Sequence, residues 1–231
     1  MVLREVRHNF RFFRWFFAVV SFFYLAGCQL MPDSQVNTSQ QRVGLDTVLV
    51  VPFESIDRQE FNTIGRCPVC DAVLNLGQIE PGADSFMTKE LLAVLKTETT
   101  YTLFGPGIAE GVRSEIISED IGISQRRLLV EMGRRVGADA VISGIVYRFR
   151  QRIGTTLSVD SPASVGFGIH LLRTSDGRLI WGRHFDETQR SLSEDLFKLG
   201  AFVKRGGGWL TVEKLAVYGL KELMASLPIH N

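Results

Sequence analysis

Thr47-Val-Leu-Val-Val-Pro-Phe53 is a continuous β-branched run without polar alternation. A strand that reads this way is buried on both faces, so it belongs inside a sheet. Pro52 marks the end of its ladder, because proline offers no backbone donor. Further along, Asp139 to Arg150 reads as a second strand, apolar at first and alternating towards its end. Ser164–Arg173 and Arg178–Glu187 read as two more, joined at Asp176-Gly177, a dipeptide suited to the positive φ of a tight turn. Tyr101–Phe104 is a short strand.

Helices fill the intervals. Asp84 or Ser85 is the expected cap of a helix with Phe86, Leu91, Val94 and Leu95 on one face. Ser124 caps another, with Leu128, Leu129, Met132 and Val136 inward and Gly137 as its stop. Ser191-Leu-Ser-Glu194 has capping-box spacing ahead of Leu196, Leu199 and Phe202. Thr211 caps a last helix carrying Val212, Leu215, Leu220, Leu223 and Leu227. The order βαβαββ followed by helices predicts an α/β (α+β) fold in one domain, residues 45–231. Its centre is a mixed sheet of about five strands with a β-hairpin and helices packed on it. Residues 54–81 are polar and non-periodic and read as a long loop.

Upstream of the first strand the chain changes character. Residues 1–27 hold four Arg, one Glu and seven of the sixteen Phe, for a net charge of +3. The remainder carries 22 basic and 24 acidic residues, which argues against a nucleic-acid footprint. Arg4, Arg7, Arg11 and Arg14 precede a 13-residue apolar run, Trp15–Gly27, too short to span a bilayer and the right length for a signal segment. The run closes on Leu25-Ala26-Gly27-Cys28. All four positions resemble the lipobox of bacterial lipoproteins.

That resemblance implies cleavage between Gly27 and Cys28, diacylglyceryl transfer to the Cys28 sulfur, and palmitate-type acylation of the new amino terminus. Two or more acyl chains give stable membrane anchoring. Residues 28–44 then form a lipidated, polar tether. Gln29 after the cysteine implies sorting to the outer membrane, on its periplasmic face.

Cys67-Pro-Val-Cys70 is the most chemical-looking motif. In an oxidising compartment a disulfide is the favoured reading, with a redox couple and a metal site as alternatives. No clear helix begins at Asp71, and no second CxxC or paired His stands nearby, so no metal ligand set is expected. His170 and His184 fall on the two strands of the hairpin. With a two-residue turn at Asp176-Gly177, Ile169 faces His184 and His170 faces Arg183. The imidazoles then point to opposite faces and cannot share an ion. No serine or cysteine has nucleophile-elbow context, so no catalytic residue and no cofactor are expected. The alternation of Arg148, Arg150 and Arg152 gives one strand a basic face, and Trp181 is expected in the core.

Val48-Leu-Val-Val-Pro-Phe53, Gly137-Ala-Asp-Ala-Val-Ile-Ser-Gly144 and Asp176-Gly-Arg-Leu-Ile-Trp181 occur in this order. Together they resemble the periplasmic α/β domain of curli-secretion lipoproteins, penicillin-binding-protein activator lipoproteins and the Tol N-terminal domain, over residues 45–227. The resemblance implies a non-enzymatic, lipid-anchored adaptor or accessory in envelope assembly, secretion or cell-wall machinery, binding other envelope proteins. One alternative is an activator of a peptidoglycan synthase. Another, of a different class, is a thiol–disulfide oxidoreductase using Cys67 and Cys70.

Overall fold

β1 (Thr47–Val50) runs between two parallel neighbours, β5 (Thr102–Phe104) and β6 (Ala140–Arg150). The computed structural model describes residues 44–57, 63–155, 158–189 and 208–228. β9 (Ser164–Arg173) pairs antiparallel with β6, and β10 (Leu179–Thr188) with β9, giving the order β10-β9-β6-β1-β5. The two-residue β2 (Glu54–Ser55) extends the parallel side along β6. The expected mixed α/β architecture is therefore the one observed.

Val48 and Val50 face one core, Leu49 and Val51 the other, which is why the run lacks polar residues. The first core lies under α1 (Ala83–Glu98) and α4 (Val212–Met224). The second lies under α2 (Pro106–Glu119) and α3 (Gln125–Val136). Leu91 and Leu220 on one side and Leu129 on the other are fully buried. Each such side chain contributes about 1.5–3 kcal/mol.

Helix ends follow the sequence in part. Thr211 caps α4 through its side chain, which accepts from the Lys214 N–H at 3.4 Å. Gly137 ends α3 at φ 76°, in the left-handed region that favours glycine. α1, however, starts after Gly82, and the expected cap Asp84 lies in its first turn. α2 was not expected, since Gly107 and Gly111 dilute its pattern and only Ala109 and Ile116 are buried. The helix expected after Ser191 lies outside the described residues.

Residues 54–81 are more structured than a loop. β3 (Ile64–Arg66) and β4 (Val73–Asn75) form a hairpin, and the chain then follows β6, with Gly77 N–H donating to the Tyr147 carbonyl at 2.9 Å. Val69 and Leu74 pack into the second core, so the hairpin is a flap on the sheet face beside α2 and α3. A further antiparallel pair, β7 (Ile153–Gly154) and β8 (Val159–Ser161), completes the described strands.

Asp139 clasps the starts of β1 and β6. Its Oδ2 accepts from Thr47 Oγ1 at 2.8 Å, Thr47 N at 2.9 Å and Asp46 N at 3.1 Å. The Thr47 hydroxyl, followed by the Thr47 N–H, holds the carboxyl below its usual range. The folded state thus favours the ionised form, and the benefit is present above the unfolded value near ~3.9. It is lost as pH falls through the lower folded value. Asp139→Asn is expected to cost about 1.5–3 kcal/mol at neutral pH. In urea melts, the gap between wild type and variant should close as the buffer is acidified below pH ~4.

A cysteine and histidine cluster beneath the flap

The turn of the flap carries the Cys67-Pro-Val-Cys70 motif. Cys67 N–H donates to the Ala72 carbonyl at 2.9 Å, and Asp71 N–H to the Cys67 carbonyl at 2.9 Å. Asp71 adopts φ 62°, which reverses the chain directly after Cys70. This fold-back aims the N–H groups of Val69 and Cys70 at the Cys67 sulfur, each at 3.4 Å. In the structure the two sulfurs are not bonded to each other.

Below them, the β9–β10 hairpin departs from the two-residue turn. Gly177 N–H donates to the Arg173 carbonyl at 3.0 Å, closing a wider turn that pairs Leu172 with Leu179. A bulge between Leu179 and Trp181 then moves the register, so His170 pairs with Gly182 and His184 with Gly168. Compared with the expected pairing, β10 has slipped by one residue, and a one-residue slip turns every side chain to the other face. The expectation that the imidazoles diverge is therefore corrected, and with it the ground for expecting no metal ligands.

Both rings stand on the flap side, with centroids 5.3 Å apart. His170 Nε2 lies 3.4 Å from Cys67 Sγ and 3.3 Å from Cys70 Sγ, and His184 Nε2 lies 3.3 Å from Cys70 Sγ. The four donor atoms all fall within 4.8 Å of one another. Among the described residues, no other group of three or more His, Cys, Asp and Glu is so arranged.

Glycine makes the room. A Cβ on Gly168 would sit 2.6 Å from the His184 ring, and one on Gly166 would sit 2.3 Å from the Tyr147 ring. The Tyr147 hydroxyl donates to the Phe185 carbonyl at 3.2 Å, fixing a wall beside His184. Arg148 ties the flap down, donating to the Asn75 carbonyl at 3.0 Å and pairing with Asp186 of β10. Arg150 donates to the Pro162 carbonyl and Arg152 to that of Trp209. All three arginines of the expected basic face thus have intramolecular partners.

Cys67 and His170 are almost wholly buried, Cys70 and His184 partly so. Burial pushes the Cys67 thiol up to about 11. Burial, and then the neighbouring His184, push His170 down to about 4, and burial also lowers His184. The protein alone thus favours the neutral thiol at Cys67 and the neutral imidazoles at His170 and His184. A nucleophilic redox cysteine needs the opposite: a depressed thiol pKa, exposure and commonly a helix N-terminus.

A separate groove of about 630 Å3 opens between α1 and α2 at the end of β1, lined in part by Phe53, Thr88, Lys89 and Arg113. Glu54 there pairs with Arg113 and accepts from Gln125 at 2.9 Å. No Cys or His lines this groove.

No family model and no curated protein matches the chain. Among solved structures it is similar to the PelC dodecamer from Paraburkholderia phytofirmans, at 16% identity and TM-score 0.45, covering 80% of this chain and 89% of that one. It is also similar to lipoprotein GNA1162 from Neisseria meningitidis, at 17% identity and TM-score 0.40, covering 69% and 94%. A third is the LpoB C-terminal domain from Salmonella enterica, at 15% identity and TM-score 0.38, covering 63% and 84%. Likeness at such scores assigns no function, which must come from this chain's own residues.

Proposed function

We propose that this chain is a lipid-anchored, non-enzymatic accessory protein of the bacterial envelope. The observation that carries the reading is Leu25-Ala26-Gly27-Cys28, closing an apolar run behind four arginines. Cys28 stands 16 residues ahead of Gly44, where the described domain begins. Fully extended, that segment reaches at most about 55 Å, which holds the domain close to its membrane. Tethering of this kind raises the effective concentration of a membrane-bound partner, so weak contacts suffice.

The flap supplies the contact. Ile64 and Val73 project from its outer side, 62% and 63% exposed, beside the exposed Arg66–Asp71 pair at 3.2 Å. Apolar side chains rimmed by charge are the composition of a transient protein interface. The raised Cys67 thiol and its burial speak against the oxidoreductase alternative.

Metabolic labelling with palmitate tests the anchor. The wild-type chain is expected to take up label and sediment with outer membranes, and Cys28→Ala is expected to do neither. Label persisting in Cys28→Ala would overturn the reading. A photo-crosslinker placed at Val73 in the anchored chain should give a discrete adduct in its own cells, whereas one at the still more exposed Ile121 should not.

A further inference from the structure

We propose that Cys67, Cys70, His170 and His184 together bind one zinc ion, in a closed site that fastens the flap to the β9–β10 hairpin. The four donor atoms converge from the flap and the hairpin on one point, at spacings that suit tetrahedral coordination. With Zn–S near ~2.3 Å and Zn–N near ~2.0–2.1 Å, the ligand-to-ligand edges of a tetrahedral site measure roughly 3.3–3.8 Å. Three of the four nitrogen–sulfur separations here are 3.3, 3.3 and 3.4 Å, and all the donor atoms lie within 4.8 Å of one another.

The donor chemistry selects the ion. Two thiolates and two imidazoles in a tetrahedral array suit zinc, while calcium and magnesium demand oxygen. Charge balance favours it as well. Binding releases two protons to solvent, one from each thiol, and leaves two thiolates opposite a divalent cation, so the buried assembly is neutral. The Val69 and Cys70 N–H groups aimed at the Cys67 sulfur stabilise the negative form that metal binding creates.

The imidazoles are set for the same task. His170 is fully buried, its Nε2 faces both sulfurs, and its Nδ1 has no hydrogen-bond partner. His184 likewise turns Nε2 to Cys70 and leaves Nδ1 unpartnered. Protons on Nδ1 leave both Nε2 lone pairs directed at the common centre. Four protein ligands fill the coordination shell, with no position for water, so the ion is structural and not hydrolytic.

The test uses the full chain, purified in detergent from zinc-replete cells. Elemental analysis is expected to find about one zinc per chain, and Cys70→Ser and His184→Gln are expected to retain less than about a tenth of it. Where a variant fails to fold, the reduced wild-type chain decides the matter by titration with cobalt(II). The expected result is the intense visible spectrum of tetrahedral cobalt with a thiolate charge-transfer band, both abolished by zinc. A metal-free wild-type chain that gives only the weak octahedral cobalt spectrum would overturn the proposal. So would a chain isolated with a Cys67–Cys70 disulfide that, once reduced, still fails to form the tetrahedral complex.

Discussion

Stripping zinc from the folded chain with a chelator is expected to lower its thermal midpoint by about 10 °C and to open the flap. The size follows from linkage. An ion held at 1,000 times its dissociation constant stabilises the native state by about 4.1 kcal/mol. A domain of this length shifts by about 2–4 °C for each kcal/mol. The flap should loosen first because its other attachments are few. Val69 and Leu74 enter the second core, Arg148 reaches the Asn75 carbonyl, and Gly77 pairs with Tyr147. The sheet beneath is held by long ladders between β6, β9 and β10. Trypsin should therefore cut at the exposed Arg66 after chelation and spare it before. An unchanged midpoint with Arg66 equally resistant would contradict the fastening role.

The second large effect is expected at Tyr147. Its ring is 1% exposed, lies against the face of Gly166 and stands 6.2 Å from the His184 ring. Tyr147→Ala removes an aromatic ring from a closed core and is expected to cost about 3–5 kcal/mol. Tyr147→Phe keeps the ring and loses only the hydrogen bond to the Phe185 carbonyl, a loss of about 1 kcal/mol. Urea unfolding of the two variants should separate packing from hydrogen bonding. Equal losses would show that the hydroxyl, and not the ring, supports this wall.

Strands and helices with strong internal pattern were legible from composition and spacing. β1 declared itself by its unbroken apolar run, α3 by Ser124, its Leu128–Met132 face and Gly137, and α4 by Thr211. The flap was not legible, because β3 and β4 are three residues each and show Ile64 and Val73 to solvent. Strands so short carry no period-2 signal, and here the second core and the β6 edge hold them in place.

The cluster was half legible. The Cys-x-x-Cys spacing was visible, but its partners lie about a hundred residues further along, on a hairpin whose register decided everything. Asp176-Gly177 signals a turn without setting its length, and nothing in Leu179-Ile-Trp181 announces a bulge. A one-residue error there separated two histidines that the fold brings together. Gly166, Gly168 and Gly182 were the overlooked signal. Glycines at alternate positions on facing strands, beside His170 and His184, mark a sheet face cleared for large side chains.

The Cys2His2 centre is the claim on which the flap's placement depends, and X-ray absorption at the zinc edge of the full-length chain tests it most directly. The account predicts a first shell of two sulfurs near ~2.3 Å and two nitrogens near ~2.0–2.1 Å. A shell of oxygen and nitrogen alone, without sulfur, would contradict it.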